Sequence, residues 1–508
     1  MPDNRPNILI VMTDQQRADL RAGRGYALDT MPFLDSFAAE GVDFTRAYTP
    51  NPTCMPARVS MFTGRYPSSH LARTNHNAKD AKYTKDLFDI MKEQGYMTAI
   101  CGKNHSHHNP AEFDFHETCG HLGHEDEVNE TPEQEAFADF LRSTHHMEVH
   151  HPSPYGVEVQ HPYRNVSSVF KFLDSRDTEK PFFCWLTFAE PHNPSQVPEP
   201  YYDMFPPEEL PDLHAGPEIL PDKGERYVWL RGMWEKVSKD GLDARIARTR
   251  SNYHGMLRLI DDQFRRLIEG LNERHLRDNT FIIFLSDHGD FVGEYGLLRK
   301  GVDLPDMLTH IPMIVQGPGV VPTGKRDECV NIIDILPTVC DMLGIETPLG
   351  AQGKSILPIL RNESYPAHEF DVAYSESGFS GLYWDEEDKL DPPDEGTVDP
   401  EYTRFDCLNT WTQCGQVRMV RKGDWKVQCD MLGSVYLYNL ADDPYELRNL
   451  ADDPQYTAVK ADMLTELSAA IMRSQDVLPV PHNRYRTKIH PKGYWYDETY
   501  VSDDPGVR

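Results

Sequence analysis

Asn7-Ile8-Leu9-Ile10-Val11-Met12-Thr13 is an uninterrupted apolar segment that ends in the polar pair Asp14-Gln15. A short run without alternation is typical of a strand that is buried on both faces of a parallel sheet. Two similar segments, Pro181 to Phe188 and Thr280 to Leu285, lie between amphipathic helical patterns. The alternation of strands and helices predicts an α/β fold, with a large, mostly parallel sheet sandwiched by helices.

Chemically active side chains follow four of the predicted strands. They are Asp14, Lys103, His105, His192, Asp287 and His288. Because the carboxyl ends of strands form the ligand crevice of an open α/β sheet, we expect these side chains at one edge. Carboxylates of Asp14 and Asp287, an amide oxygen of Gln15 and an imidazole of His288 suit Ca²⁺ or Mg²⁺ better than a structural zinc. The alternative is that each aspartate only caps the following turn.

A possible nucleophile lies in the segment Cys54-Met55-Pro56-Ala57-Arg58. Pro56 favours the start of a helix, which predicts Cys54 at the N-cap, where the helix dipole stabilises negative charge. Arg58 follows four residues later and therefore shares a helix face with Cys54. The alternative is a buried free cysteine beside a surface arginine.

The segment from Cys54 to Arg65 resembles the signature of the type I sulfatases, which belong to the alkaline phosphatase superfamily. That signature is Cys-X-Pro-X-Arg followed by Thr-Gly-Arg, here Thr63-Gly64-Arg65. The resemblance implies that a formylglycine-generating enzyme converts Cys54 to formylglycine. It also implies one divalent cation, Ca²⁺ with Mg²⁺ or Mn²⁺ as alternatives, on the ligands Asp14, Gln15, Cys54, Asp287 and His288.

The same resemblance assigns roles to the basic residues. Lys103-X-His105 matches the family's Lys-X-His pair, and Pro191-His192 matches its Pro-His pair. Lys300 lies in a stretch similar to the family's Gly-Glu-His-Gly…Lys. The implied sulfate ligands are Arg58, Lys103, Lys300 and His192. The implied catalytic residues are Cys54, Arg58, His105 and His192, with His192 or Lys300 protonating the leaving oxygen. Taken singly, these lysines and histidines would be ordinary surface or loop residues.

The predicted reaction is the hydrolysis of a sulfate monoester on a small sulfated carbohydrate. An aryl or choline sulfate is the alternative substrate. Asp14-Gln15 and Asp287-His288 replace the family's commoner Asp-Asp and Asp-Asn, and in this respect the chain resembles a subset that includes choline sulfatases and phosphonate monoester hydrolases. A phosphonate monoester or phosphodiester hydrolase on the same scaffold is a further alternative, but the Lys103-X-His105 pair favours a sulfatase. A non-catalytic protein that only binds sulfated ligands is the remaining possibility.

Charge and composition narrow the class of partner. The chain has 508 residues and a formal net charge of −30, which argues against nucleic acid and anionic membranes as partners. No apolar run is long enough to span a bilayer. Nine cysteines without a recognisable signal peptide indicate reduced thiols and a cytoplasmic location.

Three regions are predicted along the chain. They are a catalytic α/β domain at 1–360, a C-terminal subdomain with a small antiparallel sheet and a helix at 361–480, and an extended tail at 481–508. The acidic, proline-rich stretch Asp385 to Glu401 is predicted to be a loop. The aromatic tail could serve as an inter-subunit arm, which would make the protein a homo-oligomer.

Several histidines belong to none of these motifs. Pairs occur at His107-His108, His145-His146 and His150-His151. Such histidine-rich stretches can bind metal, although this spacing matches no established metal motif.

Overall fold

A computed structural model of the protein describes residues 5–124, 131–238, 241–301, 303–379, 415–476 and 491–495. Its strands are β1 (Asn7–Asp14), β2 (Val42–Tyr48), β3 (Met97–Gly102), β4 (Phe115–Gly120), β5 (Gly123–His124), β6 (Phe182–Pro191), β7 (Thr280–Ser286), β8 (His310–Ile311), β9 (Met313–Gln316), β10 (Gly324–Asn331), β11 (Val372–Ser377), β12 (Val417–Lys422), β13 (Trp425–Asp430) and β14 (Val435–Asn439). Its α-helices are α1 (Pro32–Ala39), α2 (Cys54–Thr63), α3 (Pro67–His70), α4 (Leu87–Glu93), α5 (Pro132–Ser143), α6 (His161–Ser175), α7 (Leu220–Lys223), α8 (Glu225–Val237), α9 (Leu242–Glu273), α10 (Asp306–Thr309), α11 (Ile335–Leu343), α12 (Leu357–Leu360) and α13 (Thr457–Ser474).

The large sheet has the strand order β10-β2-β9-β7-β1-β6-β3-β4-β5, with β8 paired to β2. Its centre is parallel: β1 lies between β6 and β7, and Ile10 is in register with Trp185 on one side and Ile283 on the other. Strand β3 continues the parallel set beyond β6. Antiparallel pairs involve β9, β8 and β5. The predicted fold class, a large and mostly parallel sheet with helices on its faces, is therefore confirmed.

Both faces of the central strands are buried, which explains their unbroken apolar sequences. Ile8 and Ile10 belong to a core cluster that also contains residues of α2, α4 and α11. Leu9 and Val11 point to the opposite face, into a cluster with residues of α6 and α9. Successive side chains of a strand alternate between faces, so a strand that is covered by helices on both faces needs apolar residues at every position.

A second, smaller sheet has the order β11-β12-β13-β14 and is antiparallel throughout. Helix α13 packs on it, with Leu467 in the same cluster as Val420, Val427 and Leu437. The predicted strands and helix of the C-terminal region are thus present. The domain boundaries at 360 and 480 remain predictions, and the stretch Asp385 to Glu401 and all of the tail except 491–495 lie outside the described residues.

Two differences from the sequence-based prediction have local causes. The edge strand β10, GKRDECVN, was not predicted because its charged residues leave no apolar run. The helix predicted over Ile332 to Leu343 begins as an α-helix only at Ile335, because the Asn331 side chain accepts a hydrogen bond from the Ile333 N–H and caps a preceding 3₁₀ turn. Within the described ranges, no helix is both long and apolar enough to cross a membrane.

Candidate active site

Four neighbouring strands, β7, β1, β6 and β3, end at one edge of the large sheet. Asp14 is the last residue of β1, Lys103 follows β3, His192 follows β6, and Asp287 follows β7. The parallel register of these strands brings the residues together although almost 300 positions separate them along the chain. The sequence-based expectation of one crevice at this edge agrees with their placement.

Cys54 enters this crevice from helix α2. Thr53 is the N-cap and Cys54 is the first helical residue, so the prediction of Cys54 at the N-cap was wrong by one position. The shift arises because the extended backbone of Thr53 precedes the first helical turn. The Cys54 Sγ lies 3.2 Å from His288 Nε2, 3.5 Å from Asp14 Oδ1 and 3.5 Å from Lys300 Nζ. Cys54 is therefore at the centre of the candidate site.

A group of potential cation ligands surrounds the Cys54 side chain. One atom from each of Asp14, Cys54, Asp287 and His288 lies within 4.8 Å of the others, and all four residues are buried. The Nδ1–H of His288 donates to the Gly289 carbonyl at 2.9 Å, which directs its Nε2 at the group. Such an outer hydrogen bond is what fixes the tautomer of a metal-binding histidine. Two carboxylates and one imidazole at this spacing fit a divalent cation.

Gln15 is held beside this group in a strained backbone conformation, with a φ of 70°. Its Oε1 accepts a hydrogen bond from Lys300 Nζ at 3.0 Å, and its Nε2 donates to the Asp290 carboxylate. Its backbone N–H donates to Asp287 Oδ1 at 3.0 Å. Asp290, which was not singled out in the sequence, thus orients the amide that was predicted as a ligand.

Arg58 contacts the predicted ligands from inside the protein. It is completely buried, its Nη2 lies 3.0 Å from Asp14 Oδ2, and its Nε lies 2.9 Å from Asp287 Oδ2. Its Nη1 donates to the Lys103 carbonyl at 2.8 Å and to Thr187 Oγ1 at 2.9 Å. The guanidinium therefore fixes both carboxylates, whereas the sequence-based prediction directed it toward a sulfuryl group.

Lys103 links the carboxylates to a histidine that was missed in the sequence. Its Nζ donates to Asp14 Oδ2 and, at 2.7 Å, to His121 Nε2. His121 directly follows β4, which lies next to β3 in the sheet. His121 obeys the rule that active side chains follow the ends of strands. It was missed because β4, FHETCG, lacks the continuous apolar run by which the central strands were predicted.

His192 and Lys300 form a pair on the open side of Cys54. Lys300 Nζ lies 3.2 Å from His192 Nε2, and His192 Nδ1–H donates to the Asn193 carbonyl at 2.7 Å. Burial, and next the charge of Lys300, lower the pKa of His192 well below its usual value. The imidazole is therefore neutral at pH 7, with its Nε2 accepting from the lysine.

His105 reaches Cys54 from the loop after β3. Its backbone has a φ of 41°, and its Nδ1 is a buried atom without a hydrogen-bond partner among the described residues. Burial lowers the pKa of His105, although a hydrogen bond with Cys54 acts in the opposite direction. A neutral histidine beside the residue at position 54 can accept a proton from it.

The charges of the site favour an anion at Cys54. Burial and the Asp14 carboxylate oppose ionisation, but Lys103, Lys300 and His288 outweigh them and lower the pKa of the Cys54 thiol well below its usual value. The site can thus concentrate positive charge locally in a protein whose formal net charge is −30. A crevice with these properties suits the binding of a tetrahedral anion.

Comparison with known proteins finds relatives in sequence and in fold. A family model described as sulfatase matches residues 6–345. An arylsulfatase of Clostridium perfringens is 28% identical over 389 residues, which cover 71% of this chain and 79% of the relative. A choline-sulfatase of Rhizobium meliloti is 24% identical over 475 residues, which cover 90% and 84%. The crystal structure of a phosphonate monoester hydrolase of Agrobacterium radiobacter is similar in fold, with a TM-score of 0.72 at 24% identity over 92% of this chain and 96% of that one.

Proposed function

The chain belongs to the sulfatase family, within the alkaline phosphatase superfamily, and we propose on this basis that it hydrolyses the sulfate monoester of a small carbohydrate. One observation carries the proposal. The side chain of Cys54 lies at the centre of a buried group formed by Asp14, Asp287 and His288, with Lys300 beside it. The nucleophile position, the cation ligands and the positive charge for a sulfate group thus coincide.

Asp14, Gln15, Asp287 and His288 would hold a divalent cation, for which we propose Ca²⁺. Oxygen atoms predominate among these ligands, as Ca²⁺ prefers, and none of them is a thiol. When bound, the cation would acidify the attacking hydroxyl group and neutralise charge on the sulfate.

The remaining steps belong to the protein's own side chains. We propose that Cys54 is converted to formylglycine, whose hydrate attacks the sulfur atom with one hydroxyl oxygen. The bond between sulfur and the sugar oxygen breaks, and the sugar oxygen takes a proton from the pair formed by His192 and Lys300. Lys103 and Lys300 would stabilise the sulfuryl oxygens. His105 would then remove the proton of the second hydroxyl group, so that the aldehyde re-forms and sulfate leaves.

Because the resting His192 carries its lone pair on Nε2, the proton closest to the leaving group is on Lys300. The two are 3.2 Å apart, so His192 can return a proton to the lysine or take one from it. We therefore assign the acid function to the pair, with Lys300 as the immediate donor.

A cavity of about 10 Å³, large enough for one water molecule, lies beside the loop that carries His192. Its lining includes Asn193 and Thr249, each with a buried side-chain oxygen that has no hydrogen-bond partner among the described residues. A water molecule can donate to such oxygens, whereas the cavity is too small for a sugar. A small sulfated carbohydrate is the proposed substrate, and aryl sulfates, choline sulfate, phosphonate monoesters and phosphodiesters are the alternatives.

The proposal also includes a modifying enzyme as a partner and a cytoplasmic location. Conversion of Cys54 requires a formylglycine-generating enzyme as a partner. A cytoplasmic location is in accord with the cysteines of the described ranges, which are all free thiols. The oligomeric state remains a prediction, since the aromatic tail lies largely outside these ranges.

The experiment is a turnover assay combined with mass spectrometry of the peptide that contains Cys54. Chain produced with a formylglycine-generating enzyme is tested on sulfated mono- and disaccharides, p-nitrophenyl sulfate, choline sulfate and a phenylphosphonate ester. We expect the highest kcat/KM on a sulfated sugar, and activity in proportion to the formylglycine content.

A matched pair of variants serves as the control. Cys54→Ala should abolish turnover, whereas Cys340→Ala, which removes a buried cysteine of helix α11, should leave it unchanged. Full activity with an unmodified Cys54 would exclude the formylglycine mechanism. Preference for the phosphonate ester would exclude the proposed substrate.

A further inference from the structure

A second group of metal-binding side chains lies outside the candidate active site. It consists of Asp86, His107 and His108, which we call the Asp-His-His cluster. Asp86 is the N-cap residue of α4, and the two histidines lie in the loop that follows β3. The Nε2 atoms of His107 and His108 are each 2.8 Å from the same oxygen, Asp86 Oδ2. All three side chains are at most 5% exposed.

Hydrogen bonding leaves this cluster incompletely satisfied. Asp86 Oδ1 accepts from the Asp89 N–H at 3.0 Å as part of the helix cap, so only Oδ2 serves both histidines. His107 Nε2 is well aligned with that oxygen, but His108 Nε2 makes no aligned hydrogen bond within the described part of the chain. A buried polar atom without a hydrogen bond lowers the stability of the folded state. A cation that binds the lone pair of His108 Nε2 would remove this loss of stability.

The surroundings of the cluster are apolar. The ring of His108 packs against Phe62 at 4.7 Å, Phe88 at 4.9 Å and Phe113 at 5.9 Å between centroids. Burial raises the pKa of the Asp86 carboxyl, but the proximity of the two histidines outweighs this effect and lowers the pKa. The cluster therefore offers one charged carboxylate and two imidazoles in a dry environment.

We infer that Asp86, His107 and His108 form a site for a borderline divalent metal ion, for which we take Zn²⁺. Two imidazole nitrogens and one carboxylate oxygen are a common zinc ligand set, whereas Ca²⁺ prefers oxygen atoms. Tetrahedral Zn²⁺ with ligand distances of about 2.0–2.1 Å separates its ligands by about 3.3 Å. The observed distances of 2.8 Å thus need only a small expansion.

Such a site would join the loop that carries Lys103 and His105 to helix α4. His107 is two residues after His105 and four after Lys103, and Asp86 begins a helix that packs under β3. Metal bound here would fix the loop after β3 to α4 and would stabilise the folded state by mass action. This inference does not depend on the reaction that the protein catalyses.

The test measures zinc bound to the full chain in the presence of saturating Ca²⁺, which occupies the oxygen-rich site. Zinc is measured by equilibrium dialysis followed by elemental analysis. We expect the unchanged chain to bind about one Zn²⁺ more per chain than the variant Asp86→Asn or His108→Gln. Asp86→Asn is the sharper variant because asparagine also caps helices. The melting temperature should rise with zinc in the unchanged chain and not in these two variants.

Two control variants distinguish the clusters. Asp287→Asn, which weakens the active-site group, should retain the additional zinc, and so should His151→Gln, which alters an exposed histidine. Circular dichroism shows whether Asp86→Asn and His108→Gln are folded. If either is misfolded, the deciding measurement is the visible absorption spectrum of Co²⁺ bound to the Cys54→Ala chain. Visible absorption of tetrahedral cobalt supports the site, and its absence overturns it. Equal zinc binding by folded Asp86→Asn and unchanged chain would also overturn it.

Discussion

The imidazole of His121 is stacked on that of His192, with ring centroids 3.7 Å apart and an angle of 21° between the planes. The same His121 accepts a hydrogen bond from Lys103, so it contacts residues from two different strand ends. Burial, and next the proximity of His192, lower the pKa of His121 well below its usual value. A neutral His121 thus supports the position of His192 and of Lys103 without adding charge.

Replacement of His121 should impair turnover without unfolding the protein. His121→Ala removes the stacking and the acceptor for Lys103, and we expect kcat/KM to fall about 10- to 100-fold, as for other outer partners of a site. His121→Gln restores an acceptor and should recover part of kcat. His116→Ala, on the same strand, is the control in steady-state assays. Unchanged activity of His121→Ala would show that the stacking has no functional role.

Arg58 should be essential for the stability of the cation-free protein. Arg58→Met leaves the carboxylates of Asp14 and Asp287 buried without their partner, which should lower the free energy of unfolding by about 3–5 kcal/mol. Added Ca²⁺ should restore part of this loss, because the cation replaces the missing positive charge. Urea denaturation with and without Ca²⁺ measures both effects.

The control for Arg58 is Arg46→Met. Arg46 pairs with the exposed Asp424 at 3.2 Å, and the loss of such a surface pair costs about 0–1 kcal/mol. Similar losses for the two variants would contradict the assigned role of Arg58.

Removal of the cation should abolish turnover reversibly. Chelation with EDTA deprives the attacking group and the sulfate of the positive charge, and we expect kcat to fall at least about a hundredfold. Ca²⁺ should restore activity to the unchanged chain but not to Asp287→Asn. Full activity of the chelated enzyme, with metal content checked by elemental analysis, would exclude the proposed cation.

A buried histidine that is not part of the candidate active site should make stability depend on pH. His254 of α9 is buried, its Nε2 lies 2.7 Å from the hydroxyl oxygen of Tyr26, and burial lowers its pKa from 6.5 to about 4. Between these values the unfolded chain binds a proton that the folded chain excludes. The free energy of unfolding should therefore decrease as the pH falls from 6.5 toward 4, by up to about 3 kcal/mol.

The measurement for His254 is urea denaturation at several pH values for the unchanged chain and for His254→Gln. The variant should lose less stability across this window, while the exposed-histidine variant His151→Gln should behave like the unchanged chain. Parallel pH curves for all three would contradict the assignment.

The central strands were predictable because a strand that is buried on both faces has a continuous run of apolar residues. The run from Asn7 to Thr13 has no polar residue between its ends, and the position of Asp14 at the sheet edge then follows from the fold class. Cys54 and Arg58 were found through their shared helix face and the family signature. These features are local, so one sequence is enough to read them.

Other features depend on contacts that no local pattern reveals. Asp290 accepts a hydrogen bond from Gln15, which lies 275 positions earlier in the chain. Asp86 pairs with His107, which lies 21 positions later. The direction of the Arg58 guanidinium, toward two carboxylates, likewise follows only from the packing of α2 beneath β1 and β7. Tertiary structure, and not residue type, decides these partners.

Burial of position 54 sets a time limit on its proposed conversion to formylglycine. The side chain is 1% exposed in the folded protein, so a modifying enzyme must reach it before the sheet forms. Strand β7, which is needed to complete the crevice, ends at Ser286, roughly 230 residues later in synthesis. At about 5–20 residues per second, a ribosome takes roughly 10–50 seconds to make that stretch. Cells in which translation outpaces modification would therefore accumulate folded but inactive chains.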